Sequence, residues 1–106
     1  MTPKYVILHH SATKDSGTVS WSAIRSYHID VLNWRNIGYH YGVENVNGTM
    51  EALIGRMWYE RGAHCKDEGM NSRSLGVCFI GNFDEMEVPK EQWNLGVKLV
   101  GSLCLI

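Results

Sequence analysis

His9 and His10 stand where an apolar run, Tyr5-Val6-Ile7-Leu8, gives way to the polar residues Ser11-Ala12-Thr13. An imidazole in that place can ligate a metal or move a proton near neutral pH. Consecutive strand residues point to opposite faces, so only one of the two faces a given site and the pair does not clamp one ion. Two readings stay open on spacing alone. One is a polar strand cap. The other is a single metal ligand, His9 or His10, at a strand's carboxyl end, where pockets in α/β sheets form.

Further along, Gly38-Tyr39-His40-Tyr41 offers a phenol that can donate to a developing oxyanion or orient a water, or else pack as an aromatic core residue. Gly62-Ala63-His64-Cys65 contains two zinc-capable side chains. Adjacent residues rarely chelate one ion together, so His64 and Cys65 join His9 in a metal site only if their loop folds inward. Cys78 reads as a small buried hydrophobe. Trp34, Trp58 and Tyr59 are able to stack on a sugar or a base, and equally able to pack in the core or at its rim.

The elements that must position these residues follow from periodicity. Tyr5 to Leu8 is too short for a helix and rich in β formers, which predicts a buried central strand. Trp21, Ile24, Tyr27, Val31 and Leu32 recur at helical intervals, with Ser20 as N-cap, and Gly38 ends that pattern. Tyr39 to Glu44 alternates, and Asn47-Gly48 predicts a hairpin into Thr49 to Leu53. Residues 55–72 read as a long ordered loop. Leu75 to Ile80 is a further apolar strand, closed by Gly81-Asn82. Pro89 suits a first helical position, and Trp93, Val97, Val100 and Cys104 form an apolar stripe on the helix that follows. Gly96 and Gly101 weaken that helix by about 1 kcal/mol each relative to Ala. The order strand, helix, hairpin, loop, strand, helix predicts one α/β domain over residues 1–106, a central mixed β-sheet flanked by helices.

The bulk composition is that of a folded domain, with 44% hydrophobic and 20% charged residues. A net charge of −1 provides no basic field for nucleic acid or anionic lipid. Three cysteines without CxxC spacing argue against a disulfide framework and for a reducing compartment. The start Met-Thr-Pro-Lys lacks the pattern of a signal peptide, and no apolar run reaches the roughly 18 residues of a membrane span, so a cytoplasmic protein is expected.

Taken in order, these segments resemble the zinc-dependent N-acetylmuramoyl-L-alanine amidases, a family that includes phage endolysins and animal peptidoglycan-recognition proteins. Val6-Ile7-Leu8-His9-His10-Ser11-Ala12-Thr13 resembles the family's first strand, and Ile24-Arg25-Ser26-Tyr27-His28 its helix motif. Gly38-Tyr39-His40-Tyr41 is similar to its Gly-Tyr-His-Phe strand, Asn47-Gly48-Thr49 to its hairpin, and Gly62-Ala63-His64 to its loop before an Asn. Asn71-Ser72-Arg73-Ser74-Leu75-Gly76-Val77-Cys78, with Phe79-Ile80-Gly81-Asn82-Phe83, is similar to its last central strand.

The resemblance implies cleavage of the amide between N-acetylmuramic acid and L-alanine in peptidoglycan. A zinc held by two His and one Cys or Asp would polarise the carbonyl and activate a water. On this alignment His9 falls on the first zinc ligand and Tyr39 on the Tyr that supports the water or the tetrahedral intermediate. His64, Trp34 and Asn71 are the expected substrate-facing residues. The family's other two ligands come from a segment after the last helix, in a His…Cys-Pro context, and this sequence carries no residues after Ile106. Cys78 takes a place where some relatives carry a catalytic Glu. The expectation is therefore a domain lacking the last C-terminal segment, with weak zinc binding and little hydrolysis. The other expectation is a non-catalytic protein that keeps the groove for a muropeptide or another small polar ligand. A peptidoglycan fragment is the expected partner, reached in the cell wall after release if the protein is an endolysin. A homo-oligomer through the C-terminal helix is a further expectation.

Overall fold

The structure, a computed structural model, describes residues 1–11 and 20–105. Ala12 and Thr13 of the first motif, and Ile106, lie outside the described residues. Asn47 and Gly48 turn the chain at φ of 53° and 87°, the left-handed pair that a two-residue hairpin needs. They bring β2 (Tyr41–Val46) antiparallel to β3 (Thr49–Ile54), with Val46 opposite Thr49. β1 (Tyr5–His10) and β2 each pair in parallel with β4 (Ser74–Phe79). The sheet order is β1-β4-β2-β3, the expected mixed sheet.

β4 is the central strand, and all six of its residues are buried. The run at Tyr5–Leu8 was expected in that place and instead forms an edge strand, with Tyr5 47% and Leu8 48% exposed. An apolar run reads alike at the edge and at the centre. β4 is interior because it is bonded to β1 along one edge and to β2 along the other, whereas β1 is bonded along one edge only.

Ser20 caps α1 (Trp21–Ser26) by accepting the Ala23 N–H at 3.1 Å. The chain then widens into a π-type turn over Tyr27–Val31. That change of pitch ends the helical spacing, so Tyr27, Val31 and Leu32 are exposed rather than on a buried face. Trp21 is buried against Gly42, where a Cβ would collide with the indole.

α2 (Lys90–Leu103) follows Pro89 and buries Gln92, Gly96 and Leu103. The Trp93–Val97 stripe does not face the core, as its hydrophobicity suggests; Trp93 is 49% and Val97 53% exposed. Two contacts fix the helix rotation. The buried Gln92 amide donates to the Val43 and Ile80 carbonyls at 3.0 and 3.1 Å. Gly96 lies so close to Phe79 that a Cβ would collide with the ring. The displaced stripe therefore lines an apolar groove of about 340 Å³ with Leu8 and Phe79.

Alternation along β4 divides the core in two. Leu75, Val77 and Phe79 join Val43 and Leu103 on the α2 side, and Cys78 joins Trp21, Ile37 and Ile80 on the other. Among the described residues, no helix is long and apolar enough to cross a membrane. Cys65, Cys78 and Cys104 are all free thiols.

Candidate functional site

In register, His9 lies beside Cys78, and Cys78 lies beside Gly42. Neighbouring residues in a sheet share a face, so His9 points to the same side as Cys78, away from α2. Gly76, also on that side, leaves room for a ring. His64 fills it so closely that a Cβ on Gly76 would come 2.5 Å from His64 Cγ.

The loop carrying His64 is held by Asn71. Its Oδ1 accepts the backbone N–H groups of His64 and Cys65 at 2.8 and 2.7 Å, and its carbonyl accepts Gly62 N–H at 2.9 Å. Ala63 N–H donates to the Gly38 carbonyl at 3.0 Å, which ties the loop to the segment before β2. The result is a 2.8 Å hydrogen bond between His9 Nε2 and His64 Nδ1.

The other rings continue from this pair. Tyr39 packs with its centroid 5.5 Å from His9 and 6.2 Å from His28, and His28 packs on Trp34 at 4.6 Å. Trp34 thus closes one end of a half-buried wall of rings that runs through His28 and Tyr39 to His9. Residues expected from the sequence at the site, His9, Tyr39 and His64, are brought together. Trp34 joins them through His28, and the side-chain oxygen of Asn71 holds the loop backbone. Trp58 and Tyr59 pack on each other instead, with the Tyr59 carbonyl bound by the N-terminal amine at 2.9 Å.

His28, His40 and Ser74 complete the arrangement and were not singled out by residue type. His28 Nδ1 accepts Gly38 N–H at 3.0 Å. The fully buried His40 accepts Gly76 N–H on Nδ1 at 3.0 Å and donates from Nε2 to the Glu60 carbonyl at 2.7 Å. His10 faces the opposite side, where its Nδ1 accepts Phe83 N–H at 3.2 Å. The adjacency of His40 to Tyr39 in one motif was the only signal available for it.

Burial sets the electrostatics. It holds the pKa of His9, His28 and His40 below the ordinary imidazole value, with the nearby His10 adding to the effect at His9. Burial, with His9 beside it, pushes His64 down to about 4. Burial raises the Tyr39 phenol, and its contact with Cys78 raises it further. The Cys78 thiol is itself pushed up to about 12 by burial. At neutral pH the cluster is therefore a set of uncharged rings.

Neutral imidazoles carry one hydrogen and one lone pair each. His10, His28 and His40 use the Nδ1 lone pair to accept a backbone N–H, and His64 Nδ1 faces His9. Among the described residues, His9 Nδ1 is left without a hydrogen-bond partner. It is one donor where a catalytic zinc needs three protein ligands. No group of three or more His, Cys, Asp or Glu among the described residues is placed to hold a metal ion. Cys65 does not complete a site with His9 and His64. The zinc that the sequence resemblance implies is therefore not held by this chain's described residues alone.

These features define an α/β domain whose histidine site lies on one face of a mixed sheet, beside the carboxyl end of β1. The chain belongs to the N-acetylmuramoyl-L-alanine amidase family, which matches residues 1–105. It is 33% identical over 102 residues to peptidoglycan-recognition protein 2 of Holotrichia diomphalia, covering 92% of this chain and 52% of that protein. It is 38% identical over 84 residues to the endolysin of Enterobacteria phage T3, covering 79% and 52%. The N-acetylmuramoyl-L-alanine amidase LysC of Clostridium intestinale superposes with a TM-score of 0.79 at 26% identity, covering 96% of this chain and 62% of LysC. The chain thus spans about half the length of the curated relatives it matches.

Proposed function

We propose that this chain binds peptidoglycan fragments across the ring wall of Trp34, His28, Tyr39 and His9. In the amidase reaction of its family it supplies His9 as one zinc ligand, and it turns over weakly by itself. The observation that carries this reading is the His9 Nδ1 at the end of that wall, which has no partner among the described residues. The family's named substrate, an N-acetylmuramoyl-L-alanine amide, joins a sugar to a peptide. Aromatic area with a few convergent polar atoms suits such a ligand. On this reading the protein is cytoplasmic, and if it is an endolysin it acts on the cell wall after release.

Thermal denaturation with muramyl dipeptide tests the proposal. A ligand at 100 times its Kd stabilises by about 2.7 kcal/mol, so the melting temperature should rise with ligand concentration while cell-wall suspensions clear slowly. A melting temperature unmoved through millimolar muramyl dipeptide would refute binding, and rapid clearing by this chain would refute weak turnover.

A second reading concerns α2. Its half-exposed Trp93–Val97 stripe beside the open edge of β1 favours self-association, which sedimentation over a concentration series tests.

A further inference from the structure

The geometry points to His64 as a positioning residue that fixes which nitrogen of His9 faces the ligand. The deduction begins at the far side of His64. Its Nε2 lies 3.4 Å from the Ser74 carbonyl oxygen, an atom able only to accept. The Ser74 hydroxyl, also 3.4 Å away, donates its own hydrogen to the Met70 carbonyl at 2.6 Å, so it too can only accept from the ring. His64 Nε2 therefore carries the hydrogen.

A neutral His64 then has a bare Nδ1. Its 2.8 Å partner, His9 Nε2, must supply the hydrogen of that bond. Which ring nitrogen of a histidine is free is set by the hydrogen bond that the other nitrogen makes. His9 is thereby held as the Nε2–H form, with Nδ1 presented as a permanent electron-pair donor. The assignment rests on the hydrogen-bond network, the usual basis for imidazole hydrogens.

The surroundings leave His64 no alternative pose. Gly76 lies against its ring, and Asn71 clamps its backbone N–H. His40, edge-on at 5.7 Å, has both nitrogens engaged elsewhere and offers no competing partner. His64 therefore acts through His9 rather than on the ligand. This refines the proposed function, since it takes His9 to be the group that meets the ligand.

Long-range ¹⁵N–¹H correlation spectra of the full chain at neutral pH test the role directly. In the wild type, His9 and His64 should each show a protonated Nε2 and a bare Nδ1, unaveraged. His64→Phe should release His9 into an averaged mixture of its two forms. His64→Gln, whose amide oxygen can accept from His9 Nε2, should restore the single form. Muramyl dipeptide affinity should follow the same order, falling about 10-fold in His64→Phe, at the low end for loss of an orienting partner, and recovering in His64→Gln. A protonated Nδ1 on wild-type His9, or a His9 spectrum unchanged in His64→Phe, overturns the inference. If muramyl dipeptide does not bind the wild type, the binding reading falls, and the spectra still decide the role of His64.

Discussion

Asn71→Ala removes one side-chain oxygen and leaves two backbone donors, the N–H groups of His64 and Cys65, without their 2.8 and 2.7 Å acceptor. Each half-buried N–H left unpaired costs about 1–3 kcal/mol when buried and less where water reaches it, so the pair is expected to cost about 2–3 kcal/mol. For a domain near 100 residues this lowers the melting temperature by roughly 10–20 °C. Asn71→Asp keeps an oxygen in the same place and should stay within about 1 kcal/mol of wild type, which separates loss of the acceptor from loss of packing. The assay is thermal and urea unfolding of the three proteins, with His64 ring signals followed by NMR. In Asn71→Ala those signals should broaden or shift before the global transition, because the loop loosens first. An Asn71→Ala protein that melts within about 3 °C of wild type, with unaltered His64 signals, would refute the claim that this side chain holds the loop; such a shift amounts to well under 1 kcal/mol.

Two glycines of α2 should respond oppositely to alanine. Gly101→Ala meets open space and should gain about 0.8–1 kcal/mol from helix propensity, whereas Gly96→Ala drives a Cβ into the Phe79 ring and should lose about 1–2 kcal/mol net by urea unfolding. Stability should fall as pH drops from the ordinary imidazole value of 6.5 towards about 4, because His64 is held neutral in the folded state while the unfolded chain takes up the proton. Urea midpoints across that window check the slope, which His64→Gln should flatten. Elemental analysis of the purified chain after equilibration with micromolar zinc should find well below one zinc per chain. One tightly held equivalent would refute the account of the donor set.

Local signals carried much of this fold into the sequence. Asn47-Gly48 announces its own turn because few other residue pairs adopt that backbone cheaply. Ser20 marks a helix start for a similarly local reason. The polar break after Leu8 correctly placed His9 at a strand end, and the ordered motifs pointed to the family that matches residues 1–105. What escaped depends on partners far along the chain. Nothing in Tyr5-Val6-Ile7-Leu8 says that β4, rather than β1, is bonded on both edges. The rotation of α2 is set by Gln92, whose amide reaches two sheet carbonyls, and a polar residue at that position reads as solvent-facing. Gly96 looks like a helix defect until Phe79 is seen against it. His64 sits in a loop with no periodicity, and its pairing with His9 exists only because β1 and β4 adjoin and Gly76 has no side chain.

That same adjacency governs how the molecule is built in time. β2 and β3 are joined by two residues and can zip within microseconds. The contacts that seat β1 close far larger loops: His9 meets His64 across 55 positions, Ser11 meets Gly81 across 70, and His10 meets Phe83 across 73. Closing such loops costs entropy before any contact rewards it, so the docking of β1 belongs late in folding and limits its rate. The histidine cluster is therefore assembled in the last steps, and until then an apolar strand waits with both edges bare. Refolding yield should depend on protein concentration for this reason, with dilute conditions favouring the native sheet over pairing between chains.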